Sequence, residues 1–327
     1  MNQSLDAILA ALPDVSPVGD VSPVERHAPA LIDWHDLWAA DPAPEWQVEP
    51  LLAQGRSHAL YATAKAGKSL LILDVAAALA TGRAALDRPA GPPLTVLYLD
   101  LEMTRDDLRE RLADLGYGPA DDLSRLVYYQ LPDLDAADTA EGGAAIVELA
   151  RYHAADLVVI DTLARVLAGD ENSADTFHAH YRHCGARLKA DGRTVVRLDH
   201  AGKDLTRGQR GSSAKTGDVD VVWQLVARDA EHLDLRATHR RMAWVPELVS
   251  LHRATDPVRH TRVMGSWPAG TANLAAQLDT LGLPVDASNR QARAALREAG
   301  QSAASDVLAA AIRWRRSTAA KPDGMTS

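Results

Sequence analysis

The chain has 327 residues, a formal net charge of −9, 46% apolar and 24% charged residues, proportions that suit a folded, water-soluble protein with one full α/β domain and a small appendage. No apolar run approaches the roughly 20 residues that span a bilayer, and Asn2, Gln3 and Asp6 after Met1 exclude the basic-then-apolar pattern of a secretory leader. The acidic balance gives no reason by itself to expect nucleic-acid binding, and Cys184, the one cysteine, excludes an internal disulfide and points to a cytoplasmic protein.

Residues 1–48 are rich in Pro and Asp and read as a partly ordered arm. A short apolar stretch runs from Leu5 to Leu12, and Trp34, Trp38 and Trp46 suggest packing of its second half on its own domain or on a neighbouring subunit. From residue 49 short apolar runs alternate with amphipathic ones. Strands are expected at His58–Tyr61, Thr95–Leu99, Leu126–Leu131, Leu157–Ile160 and Thr194–Leu198. Helices are expected at Ser69–Ala80, Asp106–Leu115, Gly143–His153 and Ala174–Ala190. Such alternation predicts an α/β fold with a mostly parallel, doubly wound sheet. Val219–Leu225 and Leu233–Thr238 are expected as antiparallel edge strands, closing a domain over residues 49–266. Asn273–Leu281, Asn289–Ala299 and Ala304–Arg316 then predict a small helical module over 270–316, of helix-turn-helix or winged-helix type or else a helical cap. Residues 317–327 form a tail.

Lysine occurs only at positions 65, 68, 189, 203, 215 and 321, and most of these fall inside motifs. The segment Ala62-Thr63-Ala64-Lys65-Ala66-Gly67-Lys68-Ser69-Leu70 follows a strand and opens a helix, the setting of a phosphate-binding loop for ATP. Backbone N–H groups and the helix N-terminus attract phosphate there. Lys68 is placed for the β- and γ-phosphates, and Ser69 for Mg²⁺. Ala62 stands where the GxxxxGK[ST] pattern has its first glycine, a position that often needs a permissive backbone.

Two carboxylates end buried strands. Asp161 closes Leu157-Val158-Val159-Ile160 and is placed to hold the Mg²⁺ shell; a simple cap of the next element is the alternative. Glu102 follows Val96–Leu101 and is the candidate base for the attacking water, with an N-cap of the next helix as its alternative and Asp100 as the weaker candidate base. A glutamate at this strand, instead of directly after Asp161, marks a RecA-like P-loop ATPase.

The order of motifs from about Trp46 to Val263 resembles the RepA-like hexameric replicative helicase ATPases, relatives of DnaB and KaiC within the RecA superfamily. The match is carried by Lys65-Ala66-Gly67-Lys68-Ser69, Tyr98-Leu99-Asp100-Leu101-Glu102 and Asp161-Thr162-Leu163-Ala164-Arg165 with Gly169-Asp170-Glu171-Asn172-Ser173. Asp199-His200-Ala201-Gly202-Lys203-Asp204, Arg210-Gly211-Ser212-Ser213-Ala214 and Asp220-Val221-Val222-Trp223 complete it. Asp199 stands where that family has the first His of its His-His-x-Gly-Lys segment.

The resemblance implies a homo-oligomeric ring, a hexamer, that hydrolyses ATP on Mg²⁺ and acts on single-stranded DNA, as a replicative helicase or replication protein of plasmid or phage type. It implies that His200 senses the γ-phosphate. Lys203, Arg207, Arg210 and Lys215 would face the strand in the channel. Arg241, or Arg240, would be the arginine finger sent into a neighbouring subunit. A RecA/RadA- or KaiC-like ATPase without unwinding, and an ATP-switched DNA-binding regulator, are the alternatives. From Asp286 onward, seven Lys/Arg against four Asp/Glu leave a net positive segment. Arg313, Arg315 and Arg316 around Trp314 are compatible with nucleic-acid contact and equally with a solvated helix C-terminus.

Overall fold

The computed structural model describes residues 31–39, 45–170, 173–201, 214–263, 268 and 270–319. Two short strands, β1 (Trp46–Val48) and β2 (Leu52–Ala53), pair antiparallel at the entrance to the domain. Nine strands make the main sheet: β3 (Ser57–Ala62), β4 (Val96–Asp100), β5 (Leu126–Gln130), β6 (Leu157–Asp161), β7 (Thr194–His200), β8 (Val221–Ala227), β9 (His232–Arg240), β10 (Leu248–Thr255) and β11 (Val258–Arg262). Their spatial order is β11-β10-β9-β8-β3-β7-β6-β4-β5. The six strands from β8 to β5 run parallel, so the strands expected from the alternating pattern lie in one largely parallel sheet.

The central strands are apolar without alternation because both faces are covered. β3, β4 and β6 are buried along their whole lengths. On one face lies helix Lys68–Thr81, with Leu71, Ile72, Leu73 and Leu79 fully buried, each worth about 1.5–3 kcal/mol of burial. Helices Ala140–Tyr152 and Ala174–Ala190 cover a second apolar cluster around Ile146, Val158, Ile160 and Phe177. A π-type turn at Tyr181–Gly185 interrupts the latter helix. Gly143 is required at this contact, since a Cβ there would lie 2.6 Å from that of His183. Cys184 is buried in the same layer, and burial pushes its thiol up to about 12.

Two expectations are corrected. β8 is parallel to β3, not antiparallel, with His58 opposite Val221. β7 and β8 flank β3 on opposite sides and run in the same direction, an arrangement that a hairpin cannot join. Antiparallel pairing begins only at β9 and extends through β10 and β11, two strands the pattern did not reveal. Their anchor is Asp74 in the first helix, a buried carboxylate that accepts from Arg259 at 2.7 Å and from the His260 backbone at 2.8 Å.

Helices Thr271–Thr280, Asn289–Glu298 and Ser305–Ala319 pack as a bundle around Leu274, Leu278, Leu296, Leu308 and Ile312. Arg313 docks the bundle onto Glu49 at 2.7 Å. In the arm, Trp46 packs edge-on against Trp244 at 4.7 Å. Helix Trp34–Ala39 buries none of its residues: the Trp34 and Trp38 side chains are exposed, and the helix meets the bundle where Arg290 donates to the Trp38 carbonyl at 3.3 Å; the stretch Leu5 to Leu12 lies outside the described residues. Among the described residues no helix is long and apolar enough to cross a membrane.

Candidate functional site

The loop between β3 and the first helix is built by two left-handed residues. Lys65 takes φ +63 and Gly67 φ +97, and these let the backbone turn back over the helix N-terminus. Gly67 is also where another group approaches, because a Cβ there would lie 3.1 Å from Nη1 of Arg253. Ala62 is still the last residue of β3, paired with His200 of β7 and absent from the positive-φ residues. Its methyl group therefore needs no permissive backbone. Thr63, Ala64 and Lys65 are exposed, Ala66 and Lys68 buried, Ser69 and Leu70 half-buried.

Parallel register sets Asp100 opposite Asp161, beside the loop. Asp161 is 1% exposed and accepts from the Tyr98 hydroxyl at 2.9 Å. Burial pushes its carboxyl up to about 6, against the lowering pull of the Ser69 and Tyr98 hydroxyls. Its Oδ1 is buried without a hydrogen-bond donor among the described residues, and Lys68, 7% exposed, faces the cleft. A lysine that faces the cleft and a buried carboxylate oxygen that lacks a donor fit a phosphate with its divalent cation.

Glu102 sits on the turn after β4. Its Oε1 accepts from Thr162 Oγ1 and Arg165 Nε, each at 3.2 Å, and lies 3.6 Å from His200 Nε2. Burial alone would raise this carboxyl; the Arg165 hydrogen bond and charge, with His200 and Thr162, bring it below the usual range. Glu102 is therefore an ionised carboxylate at neutral pH. It does not cap the next helix: Thr104 does, in a reciprocal pair with Asp107. Asp100, read from the sequence as a weaker candidate base, is wholly buried and fully used. It accepts from the backbones of Glu102 and Met103 at 2.8 and 3.1 Å and from the Tyr128 hydroxyl.

Lys65, Gly67, Lys68, Ser69, Glu102 and His200 face one cleft of about 660 Å³, which Asp107, Glu110, Arg111 and Arg253 also line. Sequence reasoning missed three participants. Thr162 and Arg165 lay in the quoted motif without a role. Arg253 comes from β10, a strand itself unforeseen; its Nε and Nη2 bond the Ala230 carbonyl, which aims the guanidinium at the loop.

Arg240 and Arg241 lie at the other end of the sheet. Arg240 is opposite Val221, which is opposite His58 near the start of β3, whereas the loop leaves from the end of β3. Arg240 bonds Glu247 and the Val245 carbonyl. Arg241 reaches the Gly217 carbonyl and lies 3.8 Å from Asp220, the buried carboxylate that also holds Lys189 at 2.7 Å. Lys203, Arg207 and Arg210 lie outside the described residues, and of Lys215 only the backbone is described. The arginines of the last helix are engaged within the fold. Arg315 is 3% exposed and pairs with Asp279, Arg313 pairs with Glu49, and Arg316 bonds the Asp286 and Ala287 carbonyls. They do not form a free basic patch.

Residues 22–205 match the family described as AAA domain. That span is more than half of the chain and holds the phosphate-binding loop, Glu102, Asp161 and His200.

Proposed function

The chain belongs to the AAA domain family of nucleotide-hydrolysing P-loop ATPases, and on that premise we propose that it is an ATP-driven motor on single-stranded DNA, working as a ring in replication of plasmid or phage type. The observation that carries the reading is the Glu102 carboxylate, kept ionised by Arg165 and set 3.6 Å from His200 at the mouth of the loop cleft.

In this reading Lys68 and the loop N–H groups hold the β- and γ-phosphates, and Ser69 and Asp161 hold Mg²⁺. The metal, when bound, neutralises charge on the phosphate oxygens. Glu102 takes a proton from the water whose oxygen bonds the γ-phosphorus as the bond to ADP breaks. Such a base contributes about 10²–10⁴ in rate. His200 touches Glu102 and the cleft at once, so it couples the γ-phosphate to the end of β7 and the segment that follows. Support for a ring comes from Arg240 and Arg241: at the opposite end of the sheet from their own loop, they can serve as fingers only for another subunit. A finger supplied in trans is worth about 10³–10⁵ in turnover.

The test is ATP hydrolysis with and without single-stranded DNA, on wild type, Lys68→Ala and Glu102→Gln, followed by unwinding of a forked duplex. Stimulation by the strand, abolished in both variants, and strand separation by wild type are expected. Turnover retained in Lys68→Ala would sink the site. Hydrolysis indifferent to DNA would leave an ATPase of the RecA/RadA or KaiC kind, without unwinding.

A further inference from the structure

The middle helix of the C-terminal bundle carries Arg290, Arg293 and Arg297, all exposed. At 100° per residue these positions fall within about 60° of one another, centred about 110° around the helix from the buried Ala292 and Leu296. The row runs for about 10 Å at 1.5 Å per residue. It forms one wall of a pocket of about 300 Å³; the other wall is Ala243 and Trp244, from the loop between β9 and β10. Among the described residues no carboxylate lines this pocket. Neither Arg293 nor Arg297 has a carboxylate partner among the described residues, and Arg293 is steadied by the Ser305 hydroxyl at 2.5 Å. Trp244 is half-buried, braced edge-on by Trp46.

We infer that this face is a binding subsite for single-stranded nucleic acid, separate from the ATP cleft and from the loop after β7. A row of guanidinium groups tracks phosphates, and a braced indole offers a platform on which an unpaired base can stack. A duplex keeps its bases stacked on each other and leaves the indole without a partner, which favours the single strand. The last helix is not the reader, since Arg313 and Arg315 are held in ion pairs, Arg316 bonds two backbone carbonyls, and Leu308 to Ile312 are buried.

The subsite stands independently of the motor reading, and the experiment separates the two. Fluorescence anisotropy of labelled oligo(dT) is followed over a salt series, without nucleotide, on the full chain and on Arg293→Glu/Arg297→Glu. The variant is expected to bind at least tenfold more weakly, and its slope of log affinity against log salt to flatten by about 1.4, at about 0.7 for each phosphate no longer neutralised. Its hydrolysis of ATP without DNA is expected to match wild type. A control, Arg125→Glu/Arg182→Glu, makes the same charge change on two exposed arginines elsewhere and is expected to keep wild-type affinity. Equal affinity and slope in the first variant, or an equal loss in the control, would overturn the subsite. Competition by duplex or by polyglutamate as strong as by oligo(dT) would overturn its assignment to single strands. Wild type that binds through this face while its ATPase ignores DNA would uphold the subsite and remove the motor.

Discussion

Asp100 and Glu102 are locked into one turn: the buried Asp100 carboxylate accepts the Glu102 backbone N–H at 2.8 Å, so the residue two places back aims the candidate base. Asp100 is held in turn by the Tyr128 hydroxyl, whose ring stacks on Tyr98 at 4.8 Å, and Tyr98 bonds Asp161. One chain of contacts thus connects Asp161, the proposed Mg²⁺ holder, with Glu102, the proposed base.

Removing the middle of that chain separates positioning from binding. Asp100→Ala leaves two backbone N–H groups and a hydroxyl short of an acceptor, costing about 1–3 kcal/mol of stability for a group left unsatisfied. It also frees the Glu102 turn, and a misplacement of about 1 Å costs about 10² in rate. The expected outcome is a kcat reduced about 10- to 100-fold with KM for ATP unchanged. A KM that rises while kcat holds would mean that Asp100 serves the loop instead.

Arg165 sets the charge of Glu102. The base works ionised, so the acid limb of the rate profile falls where Glu102 takes up a proton, below the usual carboxylate range. Arg165→Gln removes the leading lowering influence and leaves the raising effect of burial. The acid limb of kcat/KM is therefore expected to move to higher pH, with the plateau above neutrality little changed. An acid limb that stays in place would show that Arg165 does not tune the base.

Much of this site was readable because its residues sit at the ends of apolar runs. Asp161, Glu102 and His200 each follow a buried strand, and parallel pairing gathers such ends at one edge. What the sequence hid depends on pairing across long separations. Arg253 reaches the loop only because β10 turns back against β9. Asp74, an acid inside an apolar helix, gave no sign of Arg259 and His260, some 185 residues later. Adjacency misled at the C-terminus, where Arg313, Arg315 and Arg316 look like a patch and are dispersed by the helix into separate contacts within the fold. Arg290, Arg293 and Arg297 had the readable spacing.

The loop's departure from its usual first glycine is expected to be silent. Ala62 stays in strand register with His200, and the left-handed turns belong to Lys65 and Gly67. Ala62→Gly should leave the Kd for ATP within about twofold, and it should cost roughly 0.5–1 kcal/mol of stability, as glycine does inside regular structure. Titration with a fluorescent ATP analogue and urea unfolding read the two effects. A large gain in affinity would mean that the methyl group obstructs the phosphates.

His58 makes the fold acid-sensitive. It is 1% exposed, its Nε2 accepts the Ala53 N–H at 3.0 Å, and its Nδ1 donates to the Val195 carbonyl at 3.2 Å. Acceptance at Nε2 requires the neutral ring, whereas donation from Nδ1 survives protonation. Burial pulls its pKa down to about 4, against the raising effects of Val195 and Asp220. The unfolded chain, with an ordinary value near 6.5, therefore takes up this proton first as pH falls. The stabilisation is complete above pH 6.5 and is lost progressively between about 6.5 and 4, the loss reaching roughly 3 kcal/mol once both states are protonated. His180, also buried and pulled down to about 4, adds in the same direction. Urea unfolding from pH 7.5 to 4.5 should show wild type weakening across that window. His58→Asn, which can still donate and accept but does not titrate, should be less stable at pH 7.5 and weaken less on acidification. If wild type and variant weakened in parallel, the acid sensitivity would have to come from other groups.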